Sequence, residues 1–198
     1  MAVLRIPSST NSAEGSVVRD EQQIRTKLAG FGIEYERWDL SILPENAADL
    51  APGEEVLSAF AAPIDEMKQR GGYAMADVID VRPDTPGLDA MLARFDKEHT
   101  HSEDEVRFVL AGRGVFFLDF DECVASVEVG PGDLLRVPRG TKHWFTLCDE
   151  RRIRAVRWFQ DTTGWTPHYT GTGIDAHFQP LCFGPAYLGP RVRSTLSA

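Results

Sequence analysis

Two hydrophobic periods divide the chain near residue 98. In the first half, apolar positions fall mostly at helical spacing. Ile24 and Leu28 stand one turn apart in 20–29, with Gly30 as a stop signal. Over 53–70, Leu57, Ala61, Ile64 and Met67 recur at helical intervals, and Pro63 inside that run predicts a kink or two short helices. A further short helix is expected over 88–95, and strands over 35–40 and 73–81. Residues 1–16, rich in Ser and Thr, read as a loosely ordered start.

From His99 the period shortens. The β-rich runs 106–110, 115–120, 124–129, 134–137, 143–147 and 153–159 alternate with Gly, Pro and Asp turns. Strands this close and evenly spaced predict an antiparallel sandwich or barrel. The expected fold is mainly β, a barrel made by the second half with the helices of the first half packed outside.

Composition narrows the partners more than the fold. The 198 residues suit one domain with its own core. A net charge of −9 argues against a nucleic-acid surface, and an anionic substrate would need locally placed arginines. No apolar run approaches the length of a membrane span, and the first seven residues lack the apolar core of a signal peptide. Cys123, Cys148 and Cys182 are odd in number and widely spaced, which argues against a disulfide framework and fits a reducing compartment. The expectation is a cytoplasmic protein, and a monomer, since no apolar helical face is left over.

The chemistry concentrates in Glu98-His99-Thr100-His101-Ser102-Glu103-Asp104-Glu105-Val106-Arg107-Phe108. On one continuous strand, His99, His101, Glu105 and Arg107 would share a face. Val106, Phe108 and Leu110 would then point into the packing between sheets. Two imidazoles and a carboxylate converging in a barrel mouth suit a first-row divalent metal. Taken alone, His-x-His is weak, because a solvent-facing strand end can carry the same residues.

The wider spacing is more specific. His99-x-His101, three residues, Glu105, six residues and Gly112 resembles the first motif of the cupin superfamily. Gly132, five residues, Pro138-x-Gly140, two residues and His143 resembles the second. The cupin motifs also have a glycine where this chain has Ala93 and often an asparagine where it has Leu147. Around them, Phe95-Asp96-Lys97-Glu98-His99-Thr100-His101, Val137-Pro138, Ala155-Val156-Arg157-Trp158-Phe159 and Gly164-Trp165 are similar to the acireductone dioxygenase family. That resemblance spans roughly residues 20–178.

The resemblance implies a double-stranded β-helix, or jelly-roll, in a single cupin domain over 1–198, with no role assigned to a tail over 179–198. It implies one metal on His99, His101, Glu105 and His143, Fe²⁺ or alternatively Ni²⁺. The reaction would join O2 to 1,2-dihydroxy-3-keto-5-methylthiopentene in methionine salvage. Stabilising such a dianion needs cationic donors. Arg107 is one candidate. Arg157, a lone charge in an apolar row, is the other, unless it forms a structural salt bridge. Phe95, Phe145 and Trp165 either wall the site of the methylthio group or are ordinary core aromatics. Glu98 and Asp104 either support the ligands or are solvated. His168 and His177 read as structural. Another cupin dioxygenase or decarboxylase, or a non-catalytic metal-binding module, is the competing reading.

Overall fold

The computed structural model describes residues 1–7, 15–161, 166–178 and 180–183. Its helices follow local chemistry. Helix α1 (Glu21–Gly30) starts where the Asp20 carboxylate accepts the Gln23 N–H, and it buries Ile24 and Leu28. The 53–70 pattern becomes two helices, α3 (Gly53–Ala59) and α4 (Ala61–Gly71), preceded by the short α2 (Ala47–Leu50). Pro63 sits in the first turn of α4, where its missing N–H costs nothing. Its ring would meet the carbonyl four residues earlier, so the break falls at Phe60 rather than at the proline. Helix α5 covers Leu88–Leu92.

The strands form two antiparallel sheets. One contains β1 (Val3–Pro7), β2 (Gly15–Val18), β5 (His99–Thr100), β7 (Gly114–Asp119), β8 (Val124–Val129), β10 (Lys142–Leu147) and β12 (His168–Tyr169), in the order β12-β5-β10-β7-β8-β1-β2. The other contains β3 (Glu34–Arg37), β4 (Met75–Val81), β6 (Glu105–Gly112), β9 (Asp133–Val137) and β11 (Ile153–Phe159), in the order β3-β9-β6-β11-β4. Apolar residues of both, among them Leu4, Val109, Phe116, Leu135 and Ala155, make the core between the sheets. This two-sheet, mainly β architecture with outlying helices is the cupin jelly-roll expected.

Four expectations change. The chain start is not loose where it is described: β1 pairs with β8, and Ala2, Val3 and Leu4 are fully buried. Its short apolar run was overshadowed by the polar residues that follow. Residues 99–107 are not one strand, because the turn 101–104 separates β5 from β6 and the two lie in different sheets. Val106, Phe108 and Leu110 do face away from the ligands, but they pack beneath α3 and α4 with Val56, Phe60 and Met67, not between the sheets. Finally, Cys148 and Cys182 form a disulfide across 34 residues. Wide spacing in sequence hid a short distance in space, because the chain folds back over the outer face of the larger sheet. There Ile174 and Phe178 cover Phe117 and Trp144, and the Phe183 N–H donates to Glu128.

Ala93 stands where the cupin motif has glycine, and its ordinary right-handed helical backbone needs none. Gly112 is different. Its φ is +75°, and a Cβ there would collide with the Arg152 carbonyl.

Leu4→Ala should lower unfolding free energy by about 2–5 kcal/mol, the usual loss for a fully buried leucine. Urea denaturation measures this. A loose N-terminal start would show no loss.

Candidate metal centre

Both sheets contribute to one cluster. The 7-stranded sheet supplies His99 from β5 and His143 from β10, which are cross-strand partners. His101 follows β5 in the connecting turn, and Glu105 opens β6 in the other sheet. All four are buried, and one donor atom from each lies within 4.8 Å of the others.

Backbone carbonyls decide which imidazole nitrogen faces inward. The Nδ1 of His99 meets the Lys97 carbonyl at 2.7 Å, that of His143 the Thr141 carbonyl at 2.8 Å, and that of His101 the Thr166 carbonyl at 3.0 Å. A carbonyl only accepts, so each Nδ1 carries the hydrogen and each Nε2 presents a lone pair. Those lone pairs crowd together. The Nε2 atoms of His99 and His101 are 3.2 Å apart, and those of His101 and His143 lie 3.2 and 3.1 Å from Glu105 Oε2. Four electron-rich atoms converging in a buried pocket are mutually repulsive without a cation among them. Three imidazoles and a carboxylate fit one divalent transition metal.

The electrostatics agree. Burial, with the neighbouring His143 adding to it, pushes His99 down to about 4 against the pull of the Lys97 carbonyl, so it is a neutral ligand at neutral pH. Burial alone would raise Glu105, but the Arg107 guanidinium holds its carboxyl well below the usual range. Arg107 is itself buried, donates its Nε–H to Glu105 Oε1 at 2.6 Å, and lies over the Phe145 ring at 4.8 Å.

Beside Arg107 is a mostly apolar cavity of about 50 Å³, lined by Ile79, Met91, Leu92, Phe95, Phe145 and Leu147, with Arg157 as its second cation. Phe95 borders both cavity and metal cluster, its ring 5.8 Å from that of His99. Arg157 is the direct cross-strand neighbour of Arg107 and forms a salt bridge with Asp77. Trp165 lies outside the described residues.

A model of the ARD/ARD' family matches residues 20–167. The chain belongs to that family. It is 42% identical to an acireductone dioxygenase of Exiguobacterium sibiricum, over 79% of this chain and 90% of that one. It is 41% identical to one of Granulibacter bethesdensis, over 86% and 93%. Among solved structures, the acireductone dioxygenase from Bacillus anthracis with a cadmium ion in its active center superposes with a TM-score of 0.78 at 37% identity, covering 85% of this chain and 98% of that one. This ARD/ARD' protein is accordingly a dioxygenase with a three-histidine, one-glutamate metal site.

Glu98 and Asp104 are buried rather than solvated. Glu98 points away from the cluster and accepts from the Thr170 and Thr172 hydroxyls, holding the C-terminal segment against β5. Asp104 accepts from Tyr73, from Arg136 and from the Arg139 backbone N–H, tying the turn between the ligands to the turn before His143. Burial opposes ionisation of Asp104, and these donors outweigh it to hold its carboxyl low. His168 and His177 are exposed, on the segment after residue 166. The three carbonyls at Lys97, Thr141 and Thr166 had no sequence signal, because any residue supplies a carbonyl. Asp77 had a weak one, an acid among the apolar residues of β4.

His99→Ala, His101→Ala and His143→Ala should each lower metal content sharply and abolish turnover, as measured by elemental analysis and oxygen uptake on the same preparation. Near-normal metal in any of the three would remove that histidine from the site.

Proposed function

We propose that this chain cleaves 1,2-dihydroxy-3-keto-5-methylthiopentene with O2. The products are 4-methylthio-2-oxobutanoate and formate with Fe²⁺, or methylthiopropanoate, formate and carbon monoxide with Ni²⁺. The observation that carries the reading is the contact of buried Arg107 with the ligand Glu105 on one side and the apolar cavity on the other. It joins a metal site, a positive charge and an apolar pocket at one point.

A divalent metal held by His99, His101, Glu105 and His143 would supply Lewis-acid polarisation of the enediol oxygens. The chain's own residues do the rest. Arg107 and Arg157 set two positive charges beside the cavity, offsetting a dianion that the net charge of −9 would otherwise repel. Phe95, Phe145 and the aliphatic residues around them receive the methylthio end and exclude water. Glu98 and Asp104 support the ligands without touching the substrate.

We also infer a monomer, since Val56, Phe60, Ile64 and Met67 bury the apolar helix faces within the chain. Among the described residues no helix is long and apolar enough to cross a membrane. We place the activity in the cytoplasm, where a short-lived metabolic enediol would be formed and used. The Cys148–Cys182 bond, of a kind uncommon in that compartment, weighs the other way.

Apoprotein reloaded with Fe²⁺ should give the keto acid and formate, and with Ni²⁺ carbon monoxide. Identical products would end the metal-switch part of the reading. No oxygen uptake with either metal would favour a binding module. Arg107→Met should keep the metal and lose about 10²–10³ in kcat, the loss typical of one donor in a dry site. Metal lost in step with activity would assign Arg107 to structure instead.

A further inference from the structure

Arg157 has a like charge directly beside it. Its partner across β6 is Arg107, and like charges facing each other on one side of a sheet repel. Arg107 is buried and bonded to Glu105, two residues away on its own strand. Arg157 has Ala155 and Phe159 at the corresponding positions of β11, its guanidinium lies over the Phe159 ring at 5.0 Å, and its side chain is 23% exposed. Repulsion and access to water both favour its swinging outward.

On its other flank is the edge strand β4, and the register sets Asp77 opposite Arg157. One Asp77 oxygen accepts the Arg157 Nε–H at 2.9 Å, and the other accepts an Nη2–H at 2.6 Å. This side-on fork fixes the plane of the guanidinium as well as its place. The row across the sheet therefore runs Arg107, Arg157, Asp77.

We infer that Asp77 is a positioning residue, which holds the Arg157 guanidinium beside Arg107 at the cavity so that two cations face one doubly anionic substrate. The inference rests on the reading of Arg157 as a substrate-facing cation. Asp77 touches no substrate and acts through Arg157. Its loss therefore weakens substrate binding in the ground state and transition state alike.

The test uses the full-length, metal-loaded enzyme with four variants: Asp77→Asn, Asp77→Glu, Arg157→Met and the Asp77→Asn/Arg157→Met double. Asp77→Asn should raise KM about tenfold, the size of one charge-assisted contact, with kcat changed by no more than about twofold. Metal content and Tm should stay unchanged, and Asp77→Glu should recover most of the KM. On the Arg157→Met background, Asp77→Asn should add nothing. An unchanged or lower KM in Asp77→Asn would overturn the inference, as would effects that add to those of Arg157→Met. Loss of metal or Tm in Asp77→Asn would overturn it too, by making the pair a structural brace. A normal KM in Arg157→Met would instead remove Arg157 from the substrate, and the role of Asp77 with it.

Discussion

Three imidazoles turned the same way are the constraint on which the rest of the structure depends. Each Nδ1–H is committed to a backbone carbonyl, so ring orientation is set by main chain rather than by side-chain packing. The inward Nε2 atoms and Glu105 Oε2 then lie together, at separations that suit ligands of one cation, while Glu105 Oε1 accepts from Arg107.

The two-sheet supply of ligands gives the ion a structural part as well. His99 and His143 belong to the 7-stranded sheet and Glu105 to the 5-stranded one. A bound metal therefore joins the two layers at one end, much as the shared core joins them along their length. Asp104 adds a second tie at the same end, drawing Tyr73, Arg136 and the turn before His143 together. Metal ligands, carboxylate network and cavity lie side by side, so forces that hold the fold also set the geometry of the chemistry.

Much of this was legible in the sequence. The ligands could be read because metal chemistry restricts residue types and the motif restricts spacing. Strand β11, over Ile153–Phe159, was found to the residue because its apolar run is bounded by charged turns. What escaped depended on contacts distant in sequence. Val3 and Leu4 become core only because β8 accepts them, and the 101–104 turn moves Glu105 into another sheet. Asp77 becomes meaningful only once the register sets Arg157 across from it. Cys182 had no visible partner until the chain folded back to Cys148.

That last bond has a mechanical consequence. Cys148 and Cys182, 34 positions apart, close a covalent ring that contains β11, from one sheet, and β12, from the other. Ring closure of this size removes about 4 kcal/mol of chain entropy from the unfolded state. It also reroutes force. Tension applied to the chain beyond Cys182 passes through the sulfurs to Cys148, directly after β10, and bypasses everything inside the ring. Strands β11 and β12, which hold Arg157 and flank His99, are thereby shielded from a pull on the tail, while β10 and its His143 take the load.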